Sequence, residues 1–155
     1  HANPSSETAT TRYVATGAGV TVTRVSTWAA FGSYSIEVSV DGAAANQGCR
    51  YDTGTSGIAV SASTAYAFAA QVQSVSGSTA LQVSIDWYTS GGAFISTSTA
   101  NFTAVTGGSR ATLLVTSPGT AAFAAPGIRT QGTTAAAWRE DGLQFEFLYF
   151  PLELL

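Results

Sequence analysis

The sequence predicts an all-β domain: an antiparallel two-sheet β-sandwich of about eight to ten strands, a jelly roll. Three observations predict it. Short runs rich in Thr, Ser, Val and aromatics alternate apolar and polar side chains, the period of a half-buried strand. Glycine clusters and turn pairs interrupt these runs at short intervals, with 16 Gly and 4 Pro in 155 residues. No window of about 11 or more residues shows helical periodicity.

Val20-Thr21-Val22-Thr23 alternates, and so does Tyr34-Ser35-Ile36-Glu37-Val38-Ser39-Val40, which ends at the turn pair Asp41-Gly42. Tyr66, Phe68, Ala70 and Val72 share one face of the next long run, with Gln71 and Gln73 on the other. Ser76-Gly77-Ser78 then turns the chain into Leu81, Val83, Ile85 and Trp87, a core-facing row whose opposite face holds Gln82, Ser84, Asp86 and Tyr88. Gly91-Gly92 and Gly107-Gly108 punctuate a segment around Phe94, Ile95 and Phe102. Leu113 and Val115 mark another strand before Pro118-Gly119. The last run puts Leu143, Phe145, Phe147 and Tyr149 on one side and Gln144 and Glu146 on the other. Two alanine-rich pieces, Ala43 to Ala45 and Ala135 to Ala137, are too short and too hemmed in by Gly and Thr for more than a turn of helix. Neither an internal repeat nor a linker is visible, so one domain fills residues 1–155.

Composition narrows the function classes. Only 10% of residues are charged, the formal net charge is −3, and Leu, Ile, Val and Phe supply 33 of 155 residues. That apolar share, with little net charge, favours a folded domain over disorder. A sequence pI near 4.8 and six dispersed arginines, with no lysine, argue against nucleic acid, whose phosphates demand clustered cations. Most of these arginines read as solvated surface charges. No stretch approaches ~20 unbroken apolar residues, so no membrane insertion is expected. The opening His1-Ala2-Asn3-Pro4 lacks the charged and apolar regions of a signal peptide, and with no initiator Met it suggests a piece of a longer or processed chain. Cys49 is single, which excludes an internal disulfide. It reads as a small buried strand residue; the alternative is a thiol with a lowered pKa beside Arg50. Because the only histidine is His1, neither a Ser-His-Asp nor a Cys-His arrangement can form within the domain.

Several stretches, taken together and in order, resemble the carbohydrate-binding-module-like jelly rolls of the galactose-binding-like superfamily, in the style found in bacteriophage tail and other virion proteins. They are Asn3-Pro4-Ser5-Ser6-Glu7 (Ser6 replacing a usual aromatic), Phe31-Gly32-Ser33-Tyr34-Ser35-Ile36-Glu37-Val38, and Ile85-Asp86-Trp87-Tyr88 with Gly91-Gly92-Ala93-Phe94-Ile95-Ser96. Ser117-Pro118-Gly119-Thr120-Ala121 and Glu140-Asp141-Gly142-Leu143-Gln144-Phe145-Glu146 complete the series. The resemblance implies a non-catalytic module adhering to glycans, with localisation on a virion surface or otherwise extracellular. It also implies a structural calcium, because Glu7 and Asp141 stand at positions that in the family often help to hold one. The alternative is a solvated Glu7 and an Asp141 that only initiates a turn with Gly142.

Sugars are bound by aromatic faces that stack on C–H surfaces and by planar amides and carboxylates that meet hydroxyls. The residues of those types placed away from the core, or in a loop, are Trp28, Gln71, Gln82, Asp86 and Tyr88 as candidate carbohydrate-binding residues, with Gln73, Gln144 and Glu146 beside them. The alternative is an ordinary polar outer face. Asp41, Asp52, Asp86, Glu37 and Glu140 contain the residue types of a glycosidase pair, but nothing in the sequence makes any two converge. The stretch from Phe147 to Leu155 is apolar on both strand faces, which predicts a covering partner: a neighbouring domain, other virion subunits or a second copy in a homo-oligomer. A purely structural virion or decoration domain that binds no sugar is the competing function.

Overall fold

A computed structural model describes residue 7 and residues 9–148. Eleven strands form in chain order: β1 (Tyr13–Thr16), β2 (Val20–Val25), β3 (Ser35–Val40), β4 (Gly48–Tyr51), β5 (Ile58–Ala59), β6 (Ala65–Ser74), β7 (Ser78–Tyr88), β8 (Phe94–Val105), β9 (Ser109–Thr116), β10 (Phe123–Thr130) and β11 (Ala136–Phe147). A single 3-10 turn at Gly54–Ser56 is the one helical element among the described residues. One sheet runs β1-β4-β10-β7-β8, with β5 also on β10, and the other β2-β3-β11-β6-β9; all pairings are antiparallel. This is the two-sheet sandwich, a jelly roll, that the alternating runs predict.

The apolar halves of those runs meet between the sheets. Ile36, Val38, Phe68 and Val72 from the five-stranded sheet face Leu81, Val83, Ile85, Trp87 and Ile128 from the six-stranded one, and all are buried. Each large aliphatic or aromatic side chain so removed from water contributes about 1.5–3 kcal/mol. Trp87 fits its parity with Leu81, and its indole N–H donates to Ser98 Oγ at 2.9 Å, so no polar atom of it is stranded. Cys49 is buried at an inward position, and burial pushes its thiol up; the lowered-pKa alternative does not hold.

Two local readings are corrected. Ala136 and Ala137 open β11 and pair with Val40 and Ser39, because tertiary pairing overrides weak local preference. Asp141-Gly142 is no turn but a β-bulge inside β11: pairing with β6 jumps from Asp141↔Gln71 to Gln144↔Ala69, so Gly142 and Leu143 oppose Ala70 alone. The extra residue switches parity. Trp138 and Glu140 face the core before the bulge, and Leu143 and Phe145 face it after. Strand β10 has no counterpart in the sequence reading, where Pro126 obscures it. Proline is tolerated because, on the side away from β7, pairing to β5 ends at Ala124 and pairing to β4 begins at Gly127, so Pro126 lies opposite the break.

Candidate functional site

Alternation along β7 sends Gln82, Ser84, Asp86 and Tyr88 to the outer face of the six-stranded sheet. They are nevertheless buried, since side chains from the flanking strands reach over them. Arg50 on β4 donates from Nη1 to Asp86 Oδ2 at 2.9 Å, and Thr97 on β8 donates to Asp86 Oδ1 at 2.6 Å. Arg129 on β10 approaches the same carboxylate only to 3.8 Å. Both guanidiniums lie low on the sheet, their side chains 25% and 15% exposed. Glycine makes that possible. Gly127 pairs with Arg50 and Gly48 with Arg129, and a Cβ at either would fall 2.9 Å or less from the arginine's Cα and Cβ atoms. Arg50 and Arg129 are thus exceptions to the solvated surface role read for most of the arginines.

Polar neighbours extend the face in both directions. Gln82 Nε2 donates to Asn46 Oδ1 at 2.6 Å and to the Thr130 carbonyl at 3.1 Å, while Ser84 Oγ donates to the Gly127 carbonyl at 3.2 Å. At the other end the Tyr88 hydroxyl accepts from Thr53 Oγ1 at 3.0 Å, and its ring meets Phe94 edge to face, centroids 6.0 Å apart. Tyr88 is covered; Phe94, 60% exposed, is the aromatic surface that solvent reaches. Arg50, Thr97, Arg129 and Phe94 escaped the sequence reading. The signal present was parity: Arg50 alternates with Cys49 and Arg129 with Ile128, which places both arginines on outer positions.

The remaining candidate residues lie elsewhere. Gln71 sits on β6 beside Asp141 and Arg110, on the outer face of the five-stranded sheet. Trp28 is half-buried in the loop from β2 to β3, next to Gly108 of the β8–β9 turn, and its carbonyl accepts from Ser35 Oγ at 2.6 Å. The structure thus brings Gln82, Asp86 and Tyr88 together and leaves Gln71 and Trp28 on the other sheet's side. The five acidic residues considered as a hydrolytic pair are dispersed as well. Asp86 faces outward from one sheet and Glu37, paired with Arg139, from the other; Glu140 is in the core, Asp52 pairs with Arg12, and Asp41 binds Gln47 in the loop after β3.

Glu7 and Asp141 converge on the loop of residues 26–34 from the two ends of the chain. Glu7 Oε1 accepts the amides of Ser33 and Tyr34, both at 2.9 Å. Asp141 Oδ2 accepts those of Ala30 at 2.9 Å and Phe31 at 2.7 Å, and its Oδ1 accepts from Gly142 at 2.7 Å. The carboxylates hold the loop across the five-stranded sheet through charge-assisted hydrogen bonds. Among the described residues no group of three or more Asp, Glu, His or Cys forms a ready metal cluster. No helix there is long and apolar enough to cross a membrane. Of the stretch from Phe147 to Leu155, where the covering partner was expected, Tyr149 to Leu155 lie outside the described residues, as does the Asn3-Pro4 opening.

No protein-family model and no curated protein matches this chain. Solved structures do match. The CBM22-1 xylan-binding domain of Paenibacillus barcinonensis Xyn10C superposes with a TM-score of 0.74 at 15% identity, covering 94% of this chain and 91% of its own. A xylan-binding domain from CBM 22 gives 0.70 at 16% identity, with 92% and 91% covered. The enzymatically active domain of bacteriophage CBA120 tailspike protein 4 gives 0.70 at 16% identity, covering 96% of this chain but 21% of that one. The fold is that of a carbohydrate-binding-module-like jelly roll.

Proposed function

We propose that the chain is a non-catalytic glycan-binding module whose ligand lies on the outer face of the six-stranded sheet. The observation that carries this reading is the assembly there of a fixed polar set, Arg50, Asp86, Thr97, Arg129 and Gln82, beside the exposed ring of Phe94. Held donors and acceptors match sugar hydroxyls without losing much freedom on binding, and an aromatic face stacks on the apolar side of a pyranose. The xylan-binding activity named for two of the similar structures supports the reading. The tailspike similarity supports a setting in an exterior, virion-surface protein, where weak single sites gain from repeated copies. Dispersal of the carboxylates supports binding without hydrolysis.

A glycan array followed by calorimetry tests it. Phe94→Ala and Asp86→Ala should each weaken binding of any glycan retained by the parent chain by about tenfold or more. Loss on Trp28→Ala and Gln71→Ala instead would move the site to the five-stranded side. Silence across the array would leave the structural role.

A structural calcium forms the second part of the proposal. Glu7 and Asp141 are oxygen donors of the type a hard cation takes, and both reach the loop of residues 26–34. The ion would supply a charge bridge between the first and last segments.

A further inference from the structure

On the glycan-binding reading above, we propose that the six-stranded face selects an acidic sugar, and that Arg129, with Arg50, receives the carboxylate of a uronic acid residue. Two guanidiniums share one carboxylate, so the cluster of Arg50, Asp86 and Arg129 has one positive charge in excess. Asp86 is already occupied, one oxygen by Arg50 at 2.9 Å and the other by Thr97 at 2.6 Å. Arg129 is left short. Its nearest carboxylate oxygen stands at 3.8 Å, beyond hydrogen-bonding distance, and its side chain donates no hydrogen bond among the described residues.

The Nε atoms of Arg129 and Arg50 are both buried without an acceptor. Charged groups short of partners are costly to bury, and an anion on the 15% of the Arg129 side chain that stays exposed offsets the excess charge where a neutral hydroxyl offsets little of it. Burial pulls the Arg129 guanidinium below its usual value, which reports the same desolvation; Asp86 opposes that pull only in part. The guanidinium still charges at neutral pH, as arginine always does. Its planar fork matches a planar carboxylate better than it matches a hydroxyl. Small residues at Gly48, Ala125 and Gly127 keep the sheet surface low around the two arginines.

The test compares uronate polymers (polygalacturonate, polymannuronate and glucuronic-acid-substituted xylan) with their carboxyl-reduced forms, by calorimetry at low and high salt. At low salt at least one acidic polymer should bind about tenfold tighter than its reduced form, and salt should narrow the gap. Arg129→Gln should collapse the ratio between the two forms towards one. Arg129→Lys, which keeps the charge but loses the fork, should leave an intermediate ratio, and melting curves establish that both variants fold. Equal binding of acidic and reduced forms overturns the acidic selectivity while leaving the glycan-binding face intact. So does an acid preference that survives Arg129→Gln. Binding of neither form, with silence on the array, removes the face and the selectivity together.

Discussion

A carboxyl group enclosed between two apolar sheets ionises only at a cost, and Glu140 is so enclosed. It faces inward on β11 between Trp138 and the bulge, with one oxygen buried and unpartnered and the other accepting from Trp138 Nε1 at 3.4 Å. Burial pushes its pKa from 4.5 up to about 8. In the unfolded chain the group loses its proton near 4.5, so between the two values the native state holds a proton that the unfolded state has released. Stability from this group is therefore full below about pH 4.5 and falls as pH rises towards 8. Glu140→Gln, which stays neutral, should remove that slope. Denaturant melts should show the variant gaining about 1–3 kcal/mol on the parent between pH 5 and pH 8. An unchanged slope would show that Glu140 is not the group responsible. The residue was visible in the sequence as one carboxylate among several. Its burial was not, because inward parity at position 140 follows from the pairing of β11 with β3.

At the scale of the element, the bulge in β11 decides which side chains reach the core. Gly142 occupies left-handed backbone at φ 57°, and a Cβ there would stand 2.6 Å from the Phe31 ring. Both the conformation and the contact call for glycine. Gly142→Ala should cost about 1–3 kcal/mol of unfolding free energy. Gly132→Ala, at a position with open space and no positive φ, should stay within about 0.5 kcal/mol of the parent. Equal effects in the two variants would refute the assignment. Sequence alternation located the strand after this point, from Leu143 on, and held a turn at the Asp-Gly pair as one alternative. The same dipeptide serves both purposes, and the partner strand decides between them.

Across the whole molecule, Glu7 and the last strand's Asp141 meet at one loop. Glu7 and Asp141 take four amides of residues 30–34 between them, and Gly32, at φ 71°, gives Glu7 room, since a Cβ there would stand 2.4 Å from its Oε1. If calcium joins this clamp, saturating calcium should raise Tm by about 3–6 °C and EGTA should reverse it. Identical melting with calcium and with EGTA would rule the ion out. Asp141→Asn should lower Tm in either medium, because the amide retains the geometry but not the charge-assisted bonds.

The long alternating strands, the buried row from Leu81 to Trp87 and the two-sheet class followed from the sequence alone, because the period of a strand is a local property and apolar burial enforces it; β10 and the start of β11 did not. Which outer face each polar row belongs to did not follow. Gln71 on β6 and Gln82 on β7 both fall on the polar side of runs separated by one turn, yet they lie on opposite sides of the sandwich because that turn passes the chain from one sheet to the other. The meeting of Arg50 with Asp86, 36 residues apart, depends likewise on β10 lying between their strands, with Gly127 leaving space for the guanidinium. Strand order and the gaps between strands are set by packing over the entire chain, so the site became visible only in the folded molecule.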